Sequence, residues 1–457
     1  MSHYTAAAPD DIREMLATIG VDSVDELFDR LIPAGVRLGR DLDLPAGMTE
    51  QDVYGRLREL AGRNVSAEDE VSFLGAGMYD NYVPAFIDML TSRSELLTPY
   101  TPYQPEVSQG NLQIMFEYQT AISELTALPV SNASVYEAPS ALAAAGYLAK
   151  LANGKGRFVV SRGVHPHGRE TLRTVARGYG IEVTEVALAD GVTDAAAWEA
   201  AIDDDTCAVF FQNPNFLGAV EDAAALSAAV AERPALAVGQ YDPVCLGILA
   251  PPGECGVDVA VGEGQQLGNR LDFGGPSFGF FAATTEHLRR MPGRIAGETT
   301  DADGRRGFGL TLQTREQHIR RERATSNICT SQALNALAGV AYLVWLGREG
   351  IVELGELLLR RTAYARERLA AVPGVRLVHE QPAIREFAVV LDAPVEAVIE
   401  YCAERGINPG LALAPHYEEY PEGLLVAITE QRTRADIDRL ADLLAEAIPT
   451  VATAVAA

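Results

Sequence analysis

Residues 206–212 read TCAVFFQ, and after a helical pattern residues 235–241 read ALAVGQY, another short and almost wholly apolar run. Three similar runs are RFVVS at 157–161, VDVAVG at 257–262 and SFGFFAAT at 277–284. These runs lack the polar alternation of a half-exposed strand, and helical patterns separate most of them. The region from about 111 to 285 therefore predicts an α/β domain whose mostly parallel sheet is covered by helices on both faces.

Helical patterns flank this region on both sides. PDDIREMLATIG and SVDELFDRLI, close to the amino terminus, are amphipathic segments with Asp or Ser caps. Residues 331–372 predict long helices, and residues 386–446 read as strand, helix, loop, strand and helix, with a capping pattern, TRAD, before the last helix. We predict an N-terminal helical arm (1–75), a large domain (76–330) and connecting helices with a small α/β domain (331–457). This is the architecture of aminotransferase-like enzymes of pyridoxal phosphate (PLP) fold type I.

The charge balance restricts the partners of the chain. Asp and Glu number 63 against 37 Lys and Arg, which gives a net charge of -26. Nucleic acids and anionic membranes are polyanions that such a chain repels, so we predict neither as a partner. The acidic excess is typical of a halophile, although a GC-rich genome that encodes Arg in place of Lys, with an ordinary acidic surface, also fits.

The sequence also bears on location and metal content. The five cysteines fall at no metal-ligand spacing and suggest no disulfide framework, so no metal site is predicted. The amino terminus lacks a basic segment followed by an apolar core, and no run reaches the length of a bilayer span. We therefore predict a cytoplasmic protein.

Ligands of open parallel sheets bind at the carboxyl ends of the strands, and two candidate residues fall there. Asp242 follows ALAVGQY, and in a PLP enzyme such an Asp pairs with the pyridine nitrogen. His165, with His167 two residues on, follows RFVVS, where a ring could stack on a cofactor. The alternatives are an Asp that caps a turn before Pro and a hydrogen-bonded loop histidine.

A PLP enzyme also needs a lysine amine, and the expected place for it lacks one. Residues 262–280 read GEGQQLGNRLDFGGPSFGF, which contains Gln265, Gln266 and Arg270 but no lysine. The two lysines of the chain, Lys150 and Lys155, lie in KLANGKGR, before the strand RFVVS and at its wrong end for catalysis. The sequence therefore predicts the frame of a PLP site without its nucleophile.

Longer stretches carry a specific resemblance. LLTPYTPYQPEVSQGNLQIMFEYQTAISELTAL (96–128), preceded by MYDNYVPAFI (78–87), resembles the amino-terminal half of the glycine cleavage system P-protein, glycine decarboxylase. Further matching blocks are SRGVHPHGRE (161–170), LGNRLDFGGPSFGFFA (267–282) and IRRERATSNICTSQAL (319–334). The similarity spans nearly the whole chain.

The resemblance implies a function that two chains share. In that family two homologous halves are fused in some organisms and separate in others, and only the second half carries the lysine that holds PLP. This chain then serves as scaffold and active-site wall for a subunit 2, in a heterotetramer with two of each subunit. The complex decarboxylates glycine and transfers the aminomethyl group to the lipoyl group of the lipoylated H-protein.

Two segments are candidates for contact with the partner's site. Three prolines stiffen TPYTPYQPEVSQG, residues 98–110, which we call the strap. Its candidate substrate-site or interface residues are Tyr100, Thr101, Tyr103, Gln104, Glu106, Ser108 and Gln109. RATSN (323–327) precedes the predicted long helix, and we expect Thr325, Ser326 and Asn327 to reach the phosphate of the partner's PLP. A strap packed at the subunit seam without substrate contact, and an ordinary helix cap, remain as the alternatives.

Two other functions stay open at this point. The first alternative is a structural or regulatory pseudoenzyme that stabilises the PLP-bearing subunit without touching substrate. An independent aminotransferase-like enzyme would require a cofactor on Lys150 or Lys155. Substitution of Tyr100, Tyr103 or Glu106 in the assembled complex separates the first alternative from the shared active site.

Overall fold

The structure is a computed structural model that describes residues 6–456, which divide after Asn64 into two compact units. The first unit contains helices α1 (Pro9–Ile19), α2 (Val24–Leu31) and α3 (Glu50–Ala61). The Oγ of Ser23 accepts a hydrogen bond from the amide of Glu26 at 3.0 Å, which caps α2. The two amphipathic helices predicted at the amino terminus are confirmed.

The second unit is an α/β structure. Its helices are α4 (Ala85–Thr91), α5 (Ser94–Leu97), α6 (Gln109–Thr126), α7 (Ala138–Asn153), α8 (Pro166–Tyr179), α9 (Ala195–Ala201), α10 (Ala223–Ala228), α11 (Gln317–Arg320), α12 (Ala333–Ala370), α13 (Val395–Ala403) and α14 (Arg434–Ala456). Its strands are β1 (Val71–Ser72), β2 (Val130–Ser131), β3 (Arg157–Ser161), β4 (Glu182–Val186), β5 (Leu188–Ala189), β6 (Val192–Thr193), β7 (Thr206–Asn213), β8 (Leu236–Tyr241), β9 (Val259–Glu263), β10 (Gly279–Ala283), β11 (Ile295–Thr300), β12 (Arg306–Thr311), β13 (Val375–Leu377), β14 (Glu386–Leu391), β15 (Ile407–Asn408), β16 (Leu411–Ala412) and β17 (Gly423–Ala427).

The central sheet has seven strands in the order β2-β10-β9-β8-β7-β3-β4. Strands β9, β8, β7, β3 and β4 are parallel, as the apolar runs predict, and β10 runs in the opposite direction to the other six strands. A parallel β10 would need a crossover connection, usually a helix, and the Gly-rich stretch 264–278 forms none. Nearly every residue of β7 to β10 is buried, because helices cover both faces of the sheet.

A second, antiparallel sheet has the order β13-β14-β17-β16 and packs against α13 and α14. Thr433 and Asp436 cap α14 reciprocally: the amide of Thr433 donates to the Asp436 carboxylate at 2.8 Å, and the amide of Asp436 donates to the Thr433 hydroxyl at 3.2 Å. This confirms the predicted capping pattern. The division of residues 76–457 into a large and a small domain stays a prediction.

Two features were absent from the sequence reading. The β11–β12 hairpin, which packs through Phe308 onto Leu112 and Met115 of α6, was not predicted. Helix α12 is interrupted at Gly347, whose φ of 62° is left-handed. No helix within residues 6–456 is both long enough and apolar enough to cross a membrane.

Candidate functional site

The carboxyl edge of the central sheet carries a set of buried polar side chains that we call the pocket cluster. Its members are Tyr79, Asp242, Gln265, Arg385 and Glu386. Asp242 and Gln265 follow the adjacent strands β8 and β9, while Arg385 directly precedes β14 of the second sheet. Tyr79 belongs to the segment before α4. The cluster therefore joins three distant parts of the second unit.

Asp242 pairs with the guanidinium of Arg385. The Oδ2 of Asp242 lies 3.3 Å from the Nη1 of Arg385, whose side chain is only 2% exposed. The guanidinium also lies 4.4 Å from the centre of the Tyr79 ring, in a cation–π contact. Burial tends to lower the pKa of Arg385, but Asp242 and other nearby groups raise it above its usual value, so the guanidinium stays charged. Asp242, which we predicted to face a pyridine nitrogen, thus faces a cation of its own chain.

Glu386 links the second sheet to the segment before α4. It accepts hydrogen bonds from the Tyr79 hydroxyl at 2.7 Å and from the amide of Ala76 at 2.6 Å. Burial raises the pKa of Glu386 to about 7, although these hydrogen bonds and Arg385 act against the shift. The Glu386 carboxyl therefore changes charge close to neutral pH.

Gln265 lies in the loop where the sequence predicted a missing lysine. Its amide oxygen accepts from the Tyr79 amide at 2.9 Å, and its amide nitrogen donates to the Tyr79 carbonyl at 3.0 Å and the Asn269 carbonyl at 2.9 Å. Only a side chain with both a donor and an acceptor can bind the two backbone groups of Tyr79 in this way. Gln265 therefore fixes the Tyr79 segment against the end of β9.

His165 is held by the backbone and by an aromatic neighbour. Its Nδ1 accepts from the amide of His167 at 3.1 Å, so its Nε2 is the donor to the carbonyl of Ala76, 2.8 Å away. The ring meets Phe216 edge-on, with centroids 4.9 Å apart. Burial lowers the pKa of His165 to about 4, so the ring is neutral at physiological pH. The structure thus engages His165 with protein groups rather than leaving its face free.

The amino end of α7 lies beside the pocket cluster and is occupied by carboxylates. Glu263 ends β9, and its two oxygens accept from the amide of Ala138 at 3.1 Å and from the hydroxyl of Ser277 at 2.6 Å. Glu137 accepts from the amide of Ser140 at 3.1 Å. Burial raises the pKa of Glu263 to about 7. Backbone amides that commonly bind phosphate groups are therefore taken by side chains of the same chain.

A second group, the strap cluster, consists of the buried Arg294 and Glu316 and the more exposed Tyr103 and His318. Arg294 is 1% exposed and donates to the Tyr103 hydroxyl and to the carbonyl of Thr330, both at 3.1 Å. Its guanidinium lies 5.1 Å from the centre of the Tyr103 ring, and its Nε lies 3.9 Å from a Glu316 oxygen. The His318 ring packs against the Tyr103 ring, with the two ring centroids 5.3 Å apart. Arg294 thus anchors the strap from inside.

The remaining strap residues divide into anchored and outward-facing ones. The Gln109 side chain donates to the Phe308 carbonyl at 2.9 Å and accepts from the Phe308 amide at 2.8 Å, which anchors the strap to β12. Tyr100 is 77% exposed, and solvent also reaches Gln104 and Glu106, whereas Thr101 and Ser108 are half-buried. The strap is not extended throughout, because Pro105–Val107 forms a 3-10 turn.

Residues 325–327 do not form the helix cap that the sequence left open as an alternative. Helix α12 starts at Ala333, so Thr325, Ser326 and Asn327 do not cap it. Instead the amide of Thr325 donates to the carbonyl of Arg315 at 3.0 Å, and the Ser326 hydroxyl accepts from the amide of Ile328 at 3.0 Å. Asn327 is exposed. The prediction of a helix cap is wrong because five more residues, 328–332, precede the helix; the approach to a partner's phosphate stays a prediction.

The two lysines lie at the amino ends of the parallel strands, not at the carboxyl ends. Lys150, in the last turn of α7, donates to the carbonyls of Gly154 at 3.0 Å and Lys155 at 2.9 Å. Both residues precede β3, whereas Asp242, Gln265 and His165 follow their strands. Because these strands are parallel, the lysines lie at the opposite edge of the sheet from the pocket cluster.

Sequence reasoning missed Tyr79, Arg385, Glu386, Glu263 and Arg294. A charged pair at the start of an apolar strand, Arg385 and Glu386 before FAVVL, was the one available signal, since charges are seldom fully buried without a partner. Within residues 6–456 no group of His, Cys, Asp and Glu residues is arranged to hold a metal ion.

The side chains of this pocket do not fit a bound PLP. Asp242 already has a cationic partner, the first turn of α7 already has carboxylate acceptors, and Gln265, in the loop where we expected a lysine, has an amide side chain. The segment over the pocket is also tightly packed, since a Cβ atom on Gly75 would overlap Glu386 and Ala427. No chemical step is therefore assigned to a cofactor in this chain's own pocket.

Comparisons with known proteins agree on one family. A family model described as Glycine cleavage system P-protein matches residues 2–444. The chain is 46% identical over 445 residues to the probable glycine dehydrogenase (decarboxylating) subunit 1 of Geotalea uraniireducens, covering 97% of this chain and 100% of that protein. It is 47% identical over 437 residues to the protein of the same name from Moorella thermoacetica, covering 96% and 98%.

Solved structures give the same result. A crystal structure of glycine decarboxylase (P-protein) of the glycine cleavage system, in inhibitor-bound form, has a TM-score of 0.89 at 42% identity and covers 97% of this chain and 99% of its own. The sphingosine-1-phosphate lyase of Burkholderia pseudomallei has a TM-score of 0.66 at 16% identity, over 93% and 96% of the two chains, and shares the fold alone. The predicted fold class, PLP fold type I, is thereby confirmed.

Proposed function

Because the chain belongs to the glycine cleavage system P-protein family, we propose that it is the subunit of a two-chain P-protein that does not anchor PLP. It acts with a homologous subunit 2, which holds the cofactor, to decarboxylate glycine and pass the aminomethyl group to lipoylated H-protein. When bound to subunit 2, PLP supplies the electron sink for decarboxylation. We place the complex in the cytoplasm, as a heterotetramer with two of each subunit.

One observation carries the proposal: both lysines lie at the opposite sheet edge from Asp242, Gln265 and His165. A Schiff-base nucleophile must reach the cofactor, and neither Lys150 nor Lys155 is placed to do so. The chain nevertheless keeps the full PLP-type fold. A fold retained without its nucleophile fits a subunit whose surface completes the site of a homologous partner.

The strap supplies the groups that we assign to this contact. Tyr100, Gln104 and Glu106 face solvent, while Arg294 and the Phe308 backbone hold the strap from inside. Binding residues on a segment fixed by a rigid scaffold lose little conformational entropy when a partner docks. We propose that Tyr100 and Thr101 hydrogen-bond the substrate carboxylate at the subunit seam, and that Thr325, Ser326 and Asn327 approach the phosphate of the partner's PLP.

The test is reconstitution of glycine decarboxylation from separately purified chains. This chain, subunit 2, lipoylated H-protein, PLP and glycine are combined, and release of labelled CO2 is measured with each component omitted in turn. We expect activity only in the complete mixture. Borohydride reduction followed by peptide mapping should place the pyridoxyl group on subunit 2 alone. Full activity of subunit 2 without this chain, or a stoichiometric label on Lys150 or Lys155, would contradict the proposal.

A purely structural role is the second candidate, and one observation favours it. The side chains of Tyr103 and Gln109 form hydrogen bonds within this chain, to Arg294 and to the Phe308 backbone respectively. The assembled complex separates the two roles through Tyr100→Phe and Glu106→Gln, which alter exposed groups. Unchanged turnover in both variants with intact assembly would favour the structural role; a loss of turnover with intact assembly would favour a shared active site.

A further inference from the structure

We propose that Arg385 and Glu263 are the residues that exclude a phosphorylated pyridine cofactor from this chain's own pocket. Such a cofactor would bring a cationic ring nitrogen to Asp242 and an anionic phosphate to the amino end of α7. In this chain Arg385 already lies against Asp242, and the Glu263 carboxylate already lies at the amino end of α7. The inference goes beyond the proposed function, because it concerns the isolated chain whether or not a partner holds PLP.

The cationic half of the replacement is Arg385. A pyridine cofactor presents a protonated ring nitrogen to a carboxylate at a strand end, as an ion pair that strengthens its electron sink. Here the Arg385 guanidinium already lies 3.3 Å from Asp242 and 4.4 Å from the Tyr79 ring centre. A pyridinium would have to displace a fully buried cation and leave it without its carboxylate, which is strongly unfavourable.

The anionic half is Glu263. The amino end of a helix attracts phosphate through its free amides and its dipole, and α7 is a long helix that begins at the pocket edge. The amide of Ala138 instead donates to Glu263, and Ser277 fixes the other carboxylate oxygen at 2.6 Å. Since β8 and β9 pair Gln240 with Val261, Asp242 and Glu263 end adjacent strands side by side. The two replacements therefore belong to one pocket.

The remaining contacts lock this arrangement. Gln265 binds both backbone groups of Tyr79, and the Tyr79 hydroxyl donates to Glu386, the residue next to Arg385. Tyr79 is thus fixed over the guanidinium from two sides. A lysine in place of Gln265 or Gln266 would supply a nucleophile. It would not remove Arg385 from Asp242, and it would not free the amide of Ala138 from Glu263. We therefore expect a restored lysine alone to leave the pocket closed.

The first experiment uses the unaltered full chain and pyridoxine 5′-phosphate. This probe has the ring and phosphate of the cofactor but an alcohol in place of the aldehyde, so it cannot react with Lys150 or Lys155. Binding is followed by equilibrium dialysis. We expect no saturable binding at millimolar probe. Saturable binding by the unaltered chain that inorganic phosphate competes for would overturn the proposal without any variant.

The second experiment opens the pocket with the double variant Arg385→Ala, Glu263→Ser. We expect it to gain affinity for pyridoxine 5′-phosphate by about tenfold or more, with competition by inorganic phosphate. The matched control is Arg157→Ala, Glu182→Ser, which removes an arginine and a glutamate from the starts of β3 and β4 at the opposite sheet edge. We expect no gain in the control. A folded double variant that binds no better than the control would overturn the proposal.

Circular dichroism and tryptophan fluorescence establish which variants are folded. If the double variant is unfolded, the single variants Arg385→Ala and Glu263→Ser are titrated instead. We expect Glu263→Ser to bind inorganic phosphate more tightly than the unaltered chain, because it frees the amide of Ala138. Equal phosphate affinities of folded Glu263→Ser and the unaltered chain would contradict the role assigned to Glu263.

Discussion

The pocket cluster and the strap cluster each bury an arginine against an aromatic ring, but only the strap cluster continues into exposed side chains. Arg385 lies against Tyr79, with the Asp242 carboxylate 3.3 Å from its Nη1, but its three guanidinium nitrogens make no hydrogen bond within residues 6–456. Arg294 lies against Tyr103, whose ring is 43% exposed, in a segment where Tyr100 is 77% exposed. The same contact between an arginine and a tyrosine ring thus lies within a buried cluster in one place and supports the exposed strap in the other.

The difference indicates which part of this chain is suited to contact a partner. Buried charges that pair within one chain contribute specificity of folding more than binding energy. Exposed polar side chains on a segment with a fixed backbone are suited to recognise a partner or substrate. The carboxyl edge of the central sheet therefore has a structural character, whereas we propose the strap as an interface.

The largest effect is expected from Arg385→Ala. The substitution leaves Asp242 buried without its cation, and loss of one partner of a buried ion pair costs about 3–5 kcal/mol of unfolding free energy. Urea unfolding measures the change, because both tryptophans, Trp198 and Trp345, lie in the second unit. Asp242→Asn in the same background should recover part of the loss. A midpoint that equals that of the unaltered chain would show that the pocket cluster is not held by this pair.

The buried carboxyl groups of Glu386 and Glu263 are expected to make the unfolding free energy depend on pH. Burial raises both pKa values from 4.5 to about 7, so the folded chain binds more protons than the unfolded chain within this window. Each carboxyl therefore lowers the unfolding free energy as pH rises from 4.5 to 7, by roughly 3 kcal/mol at full effect. We expect the unfolding free energy of the double variant Glu386→Gln, Glu263→Gln to fall less between pH 4.5 and 7 than that of the unaltered chain. Stability curves that run parallel from pH 4.5 to 8 would contradict it.

The sequence revealed the sheet better than the clusters, for physical reasons. Unbroken apolar runs identified β7, β8 and β9, because burial on both faces excludes polar alternation. The segments IAGETT and RGFGLT have no such run, so the β11–β12 hairpin was missed. Asp242 and Gln265 were found because they follow strands. Arg385 contacts Asp242, and Arg294 contacts Tyr103, across more than a hundred residues of sequence, and no local pattern encodes such contacts.

A smaller effect is expected from Tyr103→Phe in the strap cluster. The variant keeps the ring against Arg294 but removes the acceptor of its Nη2 hydrogen bond, now 3.1 Å long. An unpaired buried donor costs about 1–2 kcal/mol, so we expect a lower urea midpoint by that amount. Tyr100→Phe is the matched control, since its side chain is exposed and should leave the midpoint unchanged. A larger loss in Tyr100→Phe than in Tyr103→Phe would reverse the roles assigned to the two residues.

The smallest effect concerns salt and the proposed interface. The net charge of -26 repels any partner that is also acidic, whereas the buried pairs of both clusters are shielded from solvent ions. Raising ionic strength from about 0.1 to about 1 M shortens the screening length from about 10 to about 3 Å, so repulsion between the chains weakens. We therefore expect association with subunit 2, measured by sedimentation, to tighten with KCl but not with sucrose. Steady weakening of association as KCl rises would show instead that ion pairs between the strap and its partner outweigh the repulsion.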